Sequence, residues 1–166
     1  MKSMFFTIFI SLFYAVGLAI LGYALWSMRR SSVASGWPIA PGKIQSCSVA
    51  NHSDSDGTTY EVKVQYEYTV GRQRLTGTRL AFGYSASSGQ AAHQQICDKL
   101  QHSKSVEVRY DPNDPSVSTL SFGIHRSIQF MLAFAITWLA FCIGFTAIGW
   151  VASSGDDVLV RNLVVR

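Results

Sequence analysis

Two long stretches of this chain carry no charged side chain, one between Lys2 and Arg29 and one between Arg126 and Asp156. Residues 4–28, MFFTIFISLFYAVGLAILGYALWSM, contain nothing more polar than Thr, Ser and Tyr, and residues 127–152, SIQFMLAFAITWLAFCIGFTAIGWVA, repeat the pattern. A helix of about 20 apolar residues crosses the hydrocarbon core of a bilayer, so each run is long enough to span with some tilt. The first run exceeds the roughly 7–15 apolar residues of a signal peptide, and Arg29-Arg30 follows it without a small-x-small cleavage site. It reads as an uncleaved anchor. Trp150 stands near one end of the second run, where an indole suits the membrane interface. Small residues four apart, Ala15 with Ala19 and Ala140 with Gly144, allow close helix approach. The expectation is that the two helices pack on each other there, with a homo-oligomer seam through Ala140 and Gly144 as the alternative.

Between the spans the pattern changes. The Ser/Gly/Pro-rich SSVASGWPIAPG leads into a module expected over 37–123, and a 14-residue tail, 153–166, follows the second span. Within the module, EVKVQYEYTV places Val62, Val64, Tyr66, Tyr68 and Val70 on one side and Glu61, Lys63, Gln65, Glu67 and Thr69 on the other. A period of two is that of a β-strand with one buried and one wet face. A first strand is expected at Lys43 to Val49, joined to this one through NHSDSDGTTY, with Asp56-Gly57 as the turn. Gly71-Arg72-Gln73 turns the chain into a third strand from Arg74 to Phe82, with Gly77 marking a bulge. From Ser88 to Gln101 the period becomes four (Ala92, Ile96, Leu100), predicting a short amphipathic helix N-capped by Ser88. Val106, Val108 and Tyr110 return to alternation until Asp111-Pro112-Asn113-Asp114-Pro115 stops the ladder, and a short strand around Val117 to Leu120 comes next. The fold class is therefore α+β: two transmembrane helices flanking a small antiparallel sheet, meander or barrel-like, with one short helix. In the tail, Leu159 with Leu163 and Val160 with Val164 have helical spacing, which fits either an amphipathic turn at the interface or a frayed end.

The chemistry-bearing residues are sparse. His52-x-Asp54-x-Asp56-Gly57 resembles the start of a calcium loop, but His52 and Lys63 occupy the places where such a loop needs Asp and a bidentate Glu, so a polar hairpin turn is the simpler reading. His93 and Cys97 stand i, i+4 on the predicted helix; without a second pair they make no zinc site, and partial exposure accounts for them. There is no G-x-S-x-G, P-loop or G-x-G-x-x-G, and no cofactor is implied. Asp111 and Asp114 are what an Asp-Pro turn selects. No charged residue within either span marks an ion or proton path. A net charge of +4 raises the question of nucleic acid, yet between Arg29 and Arg126 the 11 Lys/Arg and 8 Asp/Glu are scattered, without the basic stripe that binding needs. Cys47 and Cys97 leave a disulfide and two free thiols both open, whereas Cys142 reads as a small hydrophobe in the second span. Phe82 and Tyr84, in the Gly/Ser-rich FGYSASSG, have little sheet left to bury them and are the candidate protein-binding residues, with packing under the sheet as the competing reading.

Trp37, Pro38, Gly42 and Ile44, then V-x-V-x-Y-x-Y-x-V-G from Val62 to Gly71, then V-x-V-x-Y-D-P-x-D-P from Val106 to Pro115 with Leu120 beyond, all bracketed by apolar helices, resemble the bacterial membrane family known as domain of unknown function 3592 (DUF3592). The match covers about 37–123. His102-Ser103-Lys104 departs from the apolar-Gly pair expected before the last strand. The resemblance implies architecture; the family has no established activity to carry over.

The expected function is that of an integral protein of the bacterial inner membrane, without catalytic or metal-binding residues, whose tethered β-module binds another protein as an accessory subunit. The alternative is an immunity protein against an envelope-acting toxin; an enzyme using His52, Asp54 and Asp56 is the third reading. Both termini fall on one side of the bilayer and the module on the other. Arg29, Arg30 and Arg126 balance Lys2, Arg161 and Arg166 in number but lie nearer the spans, which favours a cytoplasmic module. A Cys47–Cys97 disulfide would favour the opposite side.

Overall fold

The computed structural model describes residues 2–55, 57–153 and 161–162. Asp56 of the expected turn lies outside them, as does nearly all of the tail expected at the interface. The elements are helix α1 (Lys2–Val33), a 3-10 turn (Ala34–Gly36), strands β1 (Ile39–Asp54), β2 (Gly57–Val70) and β3 (Gln73–Gly77), helix α2 (Gln90–Gln101), strands β4 (Val106–Tyr110) and β5 (Ser118–Thr119), and helix α3 (Arg126–Ser153). The chain forms two compact units, residues 1–23 with 131–166, and residues 24–130.

The first unit pairs two helices that are apolar on every side, and both long helices are long and apolar enough to cross a membrane. Leu12, Ile136, Phe141, Ile143 and Ile148 are exposed, a surface that water would not tolerate but lipid does. The seam is aromatic. Phe13 stacks on Trp138 with ring centroids 5.5 Å apart, and the indole N–H of Trp138 donates to the Phe13 carbonyl at 3.0 Å. Gly17 makes room for this contact: a Cβ there would come within 2.7 Å of the Trp138 and Leu139 side chains. Tyr14 and Thr146 share a hydroxyl hydrogen bond of 3.2 Å. Ala15, Ala19, Ala140 and Gly144, expected at the seam, are all exposed. Among the described residues of this unit, the buried small ones are Gly17, Ala135 and Cys142, in place of the pairs expected, and the Phe13 and Trp138 rings pack beside them.

The second unit is built on an open antiparallel sheet ordered β3-β2-β1-β4-β5. It is a sheet with two edges and does not close into a barrel. The alternation of EVKVQYEYTV is realised in β2, with Val62, Val64, Tyr66 and Tyr68 buried. They form the core with Ala40, Cys47, Leu80, Cys97 and Val108. β1 is much longer than expected because Asn51-His52-Ser53-Asp54 pairs residue by residue with Gly57-Thr58-Thr59-Tyr60. The β1 residues of this stretch are exposed on both faces, and in β2 only Thr58 and Tyr60 are half-buried, so little apolar period marks it. The bulge lies in β1, between Ile44 and Ser46. β3 keeps an unbroken register, and its Gly77 serves another purpose: the Tyr66 ring lies where a Cβ would go. β3 also ends before the expected Phe82, because Leu80 turns its carbonyl to the Leu120 and Ser121 N–H groups at 3.2 and 2.8 Å.

α2 packs on β1 and β2. Its N-cap is Gly89 rather than Ser88, with no side-chain cap bond, and its buried face centres on His93 and Cys97, while Ala92 is exposed. At its other end His102 and Ser103 supply the stop. The His102 N–H donates to Asp98 O at 3.0 Å, and Ser103 Oγ donates to Lys99 O at 2.7 Å. Polar capping thus does the work of an apolar-Gly turn.

Candidate functional site

Phe82 is not available for binding. The chain turns at Gly83 (φ +69), where a Cβ would sit 2.9 Å from Ile128 and Ser27 side-chain atoms. That close turn drives Phe82 inward to 4% exposure, edge-on to Trp37 at 5.8 Å, with the Arg79 guanidinium 4.5 Å above its ring. Phe82 is a packing residue of the module, because the Trp37 and Ala34 surface supplies the cover that the sheet does not.

Tyr84 is half-buried and engaged. Its hydroxyl accepts the Val62 N–H at 2.9 Å and lies 2.7 Å from His93 Nδ1. His93 Nε2 lies 2.7 Å from Ser87 Oγ. One proton arrangement satisfies every group: Tyr84 donates to Nδ1, and Nε2–H donates to Ser87. In that tautomer Nε2 carries the hydrogen that Ser87 accepts, and the arrangement tethers α2 to Tyr84 and Ser87. Burial raises the Tyr84 phenol above its ordinary pKa of 10.0, the Val62 N–H draws it back, and the Glu61 carboxylate raises it again. Beside this relay, Cys47 of β1 and Cys97 of α2 are joined as a disulfide, with Cα atoms 5.7 Å apart. His93 and Cys97 are both buried, against the expectation of partial exposure. Ile96 and Leu100 of the expected stripe pack against the same core, and the i, i+4 spacing of His93 and Cys97 marks the centre of that face.

Of the calcium-like residues, the described His52 and Asp54 keep separate partners. Asp54 Oδ1 accepts its neighbour Ser55's N–H at 2.7 Å, and His52 Nε2 is 3.7 Å from Glu61, which Lys63 also contacts at 2.6 Å.

At the opposite end of this unit, the last turns of α1 meet the sheet. Arg30 pairs with Asp111 at 3.3 Å. Ser31 Oγ donates to Gly123 O at 2.8 Å, and the Gly123 N–H returns a bond to Ser31 O at 3.2 Å. Arg109 donates to the Ser35 and Trp37 carbonyls at 2.7 and 3.1 Å and lies 4.3 Å over the Phe122 ring. The Asp-Pro element is folded by its own carboxylates: Asp111 accepts the Asn113 N–H, and Asp114 accepts the Ser116 N–H. Tyr68 OH donates to Pro115 O at 2.6 Å.

The projecting β1–β2 hairpin has unequal sides. On the β2 side, Tyr60 exchanges both backbone hydrogen bonds with Ser87, and Val62 N–H goes to Tyr84. In an antiparallel ladder, directly opposed residues turn their backbone groups the same way relative to the pair, either both toward each other or both away. The partners of Tyr60 and Val62 are Asn51 and Val49. Their N–H and C=O groups therefore point out of the other side, where no strand pairs with β1 beyond Gly42 among the described residues. Gln101 caps the Cys47 carbonyl at 2.7 Å; beyond it, from Ser48 to Asp54, the edge is open. Sequence reasoning missed this edge, since nothing in NHSD signals a strand.

No curated protein and no solved structure matches the chain. The family described as Domain of unknown function (DUF3592) matches residues 40–125, from the second residue of β1 to the residue before α3. That stretch contains the whole sheet apart from Ile39, with α2 and the Asp-Pro element. Over half its length, therefore, and with the motifs that define its sheet, the chain belongs to the DUF3592 family.

Proposed function

We propose that this is a non-enzymatic, two-span membrane protein whose tethered β-module receives an extended segment of another protein along the open edge of β1. The observation that carries this reading is the asymmetry of the hairpin, closed by Ser87 and Tyr84 on the β2 side and unpaired from Ser48 to Asp54 on the other. Exposed strand edges are templates for strand addition, and a functional edge differs from a hazardous one by being short and polar, as Ser48–Asp54 is. The Cys47–Cys97 pair favours a module on the oxidising side of the membrane. That side is also the one an immunity protein against an envelope-acting toxin would need, and such a toxin is one candidate partner class.

The test is photo-crosslinking in native membranes from a reactive residue placed at Ser53. The expected result is one discrete cross-linked protein, lost when Asn51→Pro removes an outward N–H, and absent from the same probe at Gln65 on the wet sheet face. Equal labelling from both positions, or labelling that survives Asn51→Pro, contradicts strand addition.

A further inference from the structure

We infer that the span-proximal rim of the module is a second membrane contact, seated in the headgroup layer and selective for anionic lipid. The inference rests on the two-span reading above. Four large apolar side chains, Val33, Ile39, Phe122 and Ile124, are about half exposed there. They come from three separate segments that the structure ties together. Ile39 is the cross-strand partner of Arg109, whose guanidinium lies over the Phe122 ring, and Phe122 and Ile124 flank Gly123, which exchanges two hydrogen bonds with Ser31, two residues before Val33.

Along the chain the rim is continuous with the apolar helices, because the membrane-competent stretch that starts in α1 runs from Phe6 through the 3-10 turn to Gly36 and that of α3 begins at Arg126. The exposed halves of these four side chains form an apolar ridge, and a bilayer interface is the apolar phase at hand. The charges fit the same occupant. Away from the spans, Lys63 pairs with Glu61 and Arg74 with Glu67, while Lys43, Arg72, Lys99 and Lys104 face water without an acidic partner among the described residues; what sets the rim's cations apart is their place next to the apolar helices. At the rim, Asp111 is taken by Arg30, and among the described residues Arg29 and Arg126 have no acidic partner, although both are exposed. Two unpaired guanidiniums beside an apolar ridge match phosphate oxygens above acyl chains.

The experiment uses the full chain in nanodiscs, of phosphatidylcholine alone or with added phosphatidylglycerol, carrying a polarity-sensitive dye at Ser121→Cys in a Cys142→Ala background. A second sample carries the dye at Ser53→Cys, on the distal hairpin. The expected result is that phosphatidylglycerol shields the Ser121 dye from a water-soluble quencher while the Ser53 dye stays accessible. In the Arg29→Gln/Arg126→Gln double variant, the phosphatidylglycerol needed for half-maximal shielding rises about tenfold. A Ser121 dye that stays accessible in both lipids, or shielding unchanged in the double variant, overturns the inference while leaving the two-span reading intact. A chain that fails to co-migrate with the discs overturns that reading as well.

Discussion

Arg30, in the last turn of α1, reaches Asp111, in the segment after β4, at 3.3 Å. One side chain of the first apolar helix thus meets the Asp-Pro element 81 residues later. Asp111 does two jobs, since its other oxygen accepts the Asn113 N–H at 3.0 Å.

The two jobs separate by substitution. Asp111→Ala removes the turn bond and the ion pair and should cost about 1–2 kcal/mol. Arg30→Ala removes only the pair; with Arg30 41% exposed, solvent screening holds the loss below about 1 kcal/mol. Denaturant titration in mild detergent checks the order, and an equal loss in both variants would contradict the double role.

The link between Cys47 and Cys97 closes a loop with a sequence separation of 50. On the chain-entropy account such a loop stabilises by about 4 kcal/mol. Reduction should lower the thermal midpoint of the wild type and leave a Cys47→Ser/Cys97→Ser variant, already destabilised, unmoved. Sensitivity to reductant in the double variant would place the effect elsewhere.

Tyr66 makes the sheet sensitive to alkali. Its hydroxyl is buried, donating to Arg79 O and sharing a bond with Ser118 Oγ at 3.0 Å. Burial outweighs the bond from Ser118 and moves its pKa from 10.0 to about 12. Folding therefore favours the neutral phenol: this contribution is fully present below pH 10 and is lost as pH rises toward 12, by about 3 kcal/mol in all. Tyr66→Phe should lose part of that alkaline slope while costing about 1 kcal/mol at neutral pH. Stability curves from about pH 9 to 12 for both proteins provide the check, and parallel slopes would count against it.

His93 holds α2 through Tyr84 and Ser87. Its replacement by Ala leaves a cavity and strands the Tyr84 hydrogen, for a cost of about 2–4 kcal/mol. Hydrogen exchange should show faster opening across Gln90–Gln101 with β4 little changed. Uniform loosening of both elements would mean that the relay supports the whole module rather than its helix.

How far the sequence carried depends on what each residue faces. β2 was legible because one side meets the core and the other meets water, so its period is written in Val62, Val64, Tyr66 and Tyr68. The distal parts of β1 and β2 were not, because strands largely wet on both faces leave little apolar signature and only backbone pairing reveals them. The helix was legible, but its seat shifted from Ala92 to His93 and Cys97, since a satisfied histidine packs as a core residue. Phe82 was misplaced for a related reason: the surface that buries it comes from Trp37 and Ala34, distant in sequence, through a turn that only Gly83 permits. The open edge at Asn51 depends on pairing by Tyr60 with Ser87, a contact no local pattern announces.

A module proposed on the oxidising side of the membrane, held by two spans, requires both chain ends on the other. The direct test fuses to the C-terminus either a fluorescent protein that matures only in the cytoplasm or a phosphatase active only outside it. Fluorescence with an inactive phosphatase is the predicted result. A dark reporter with an active phosphatase would put the sheet, its cysteine pair and the open edge of β1 in the cytoplasm, and would contradict the proposal.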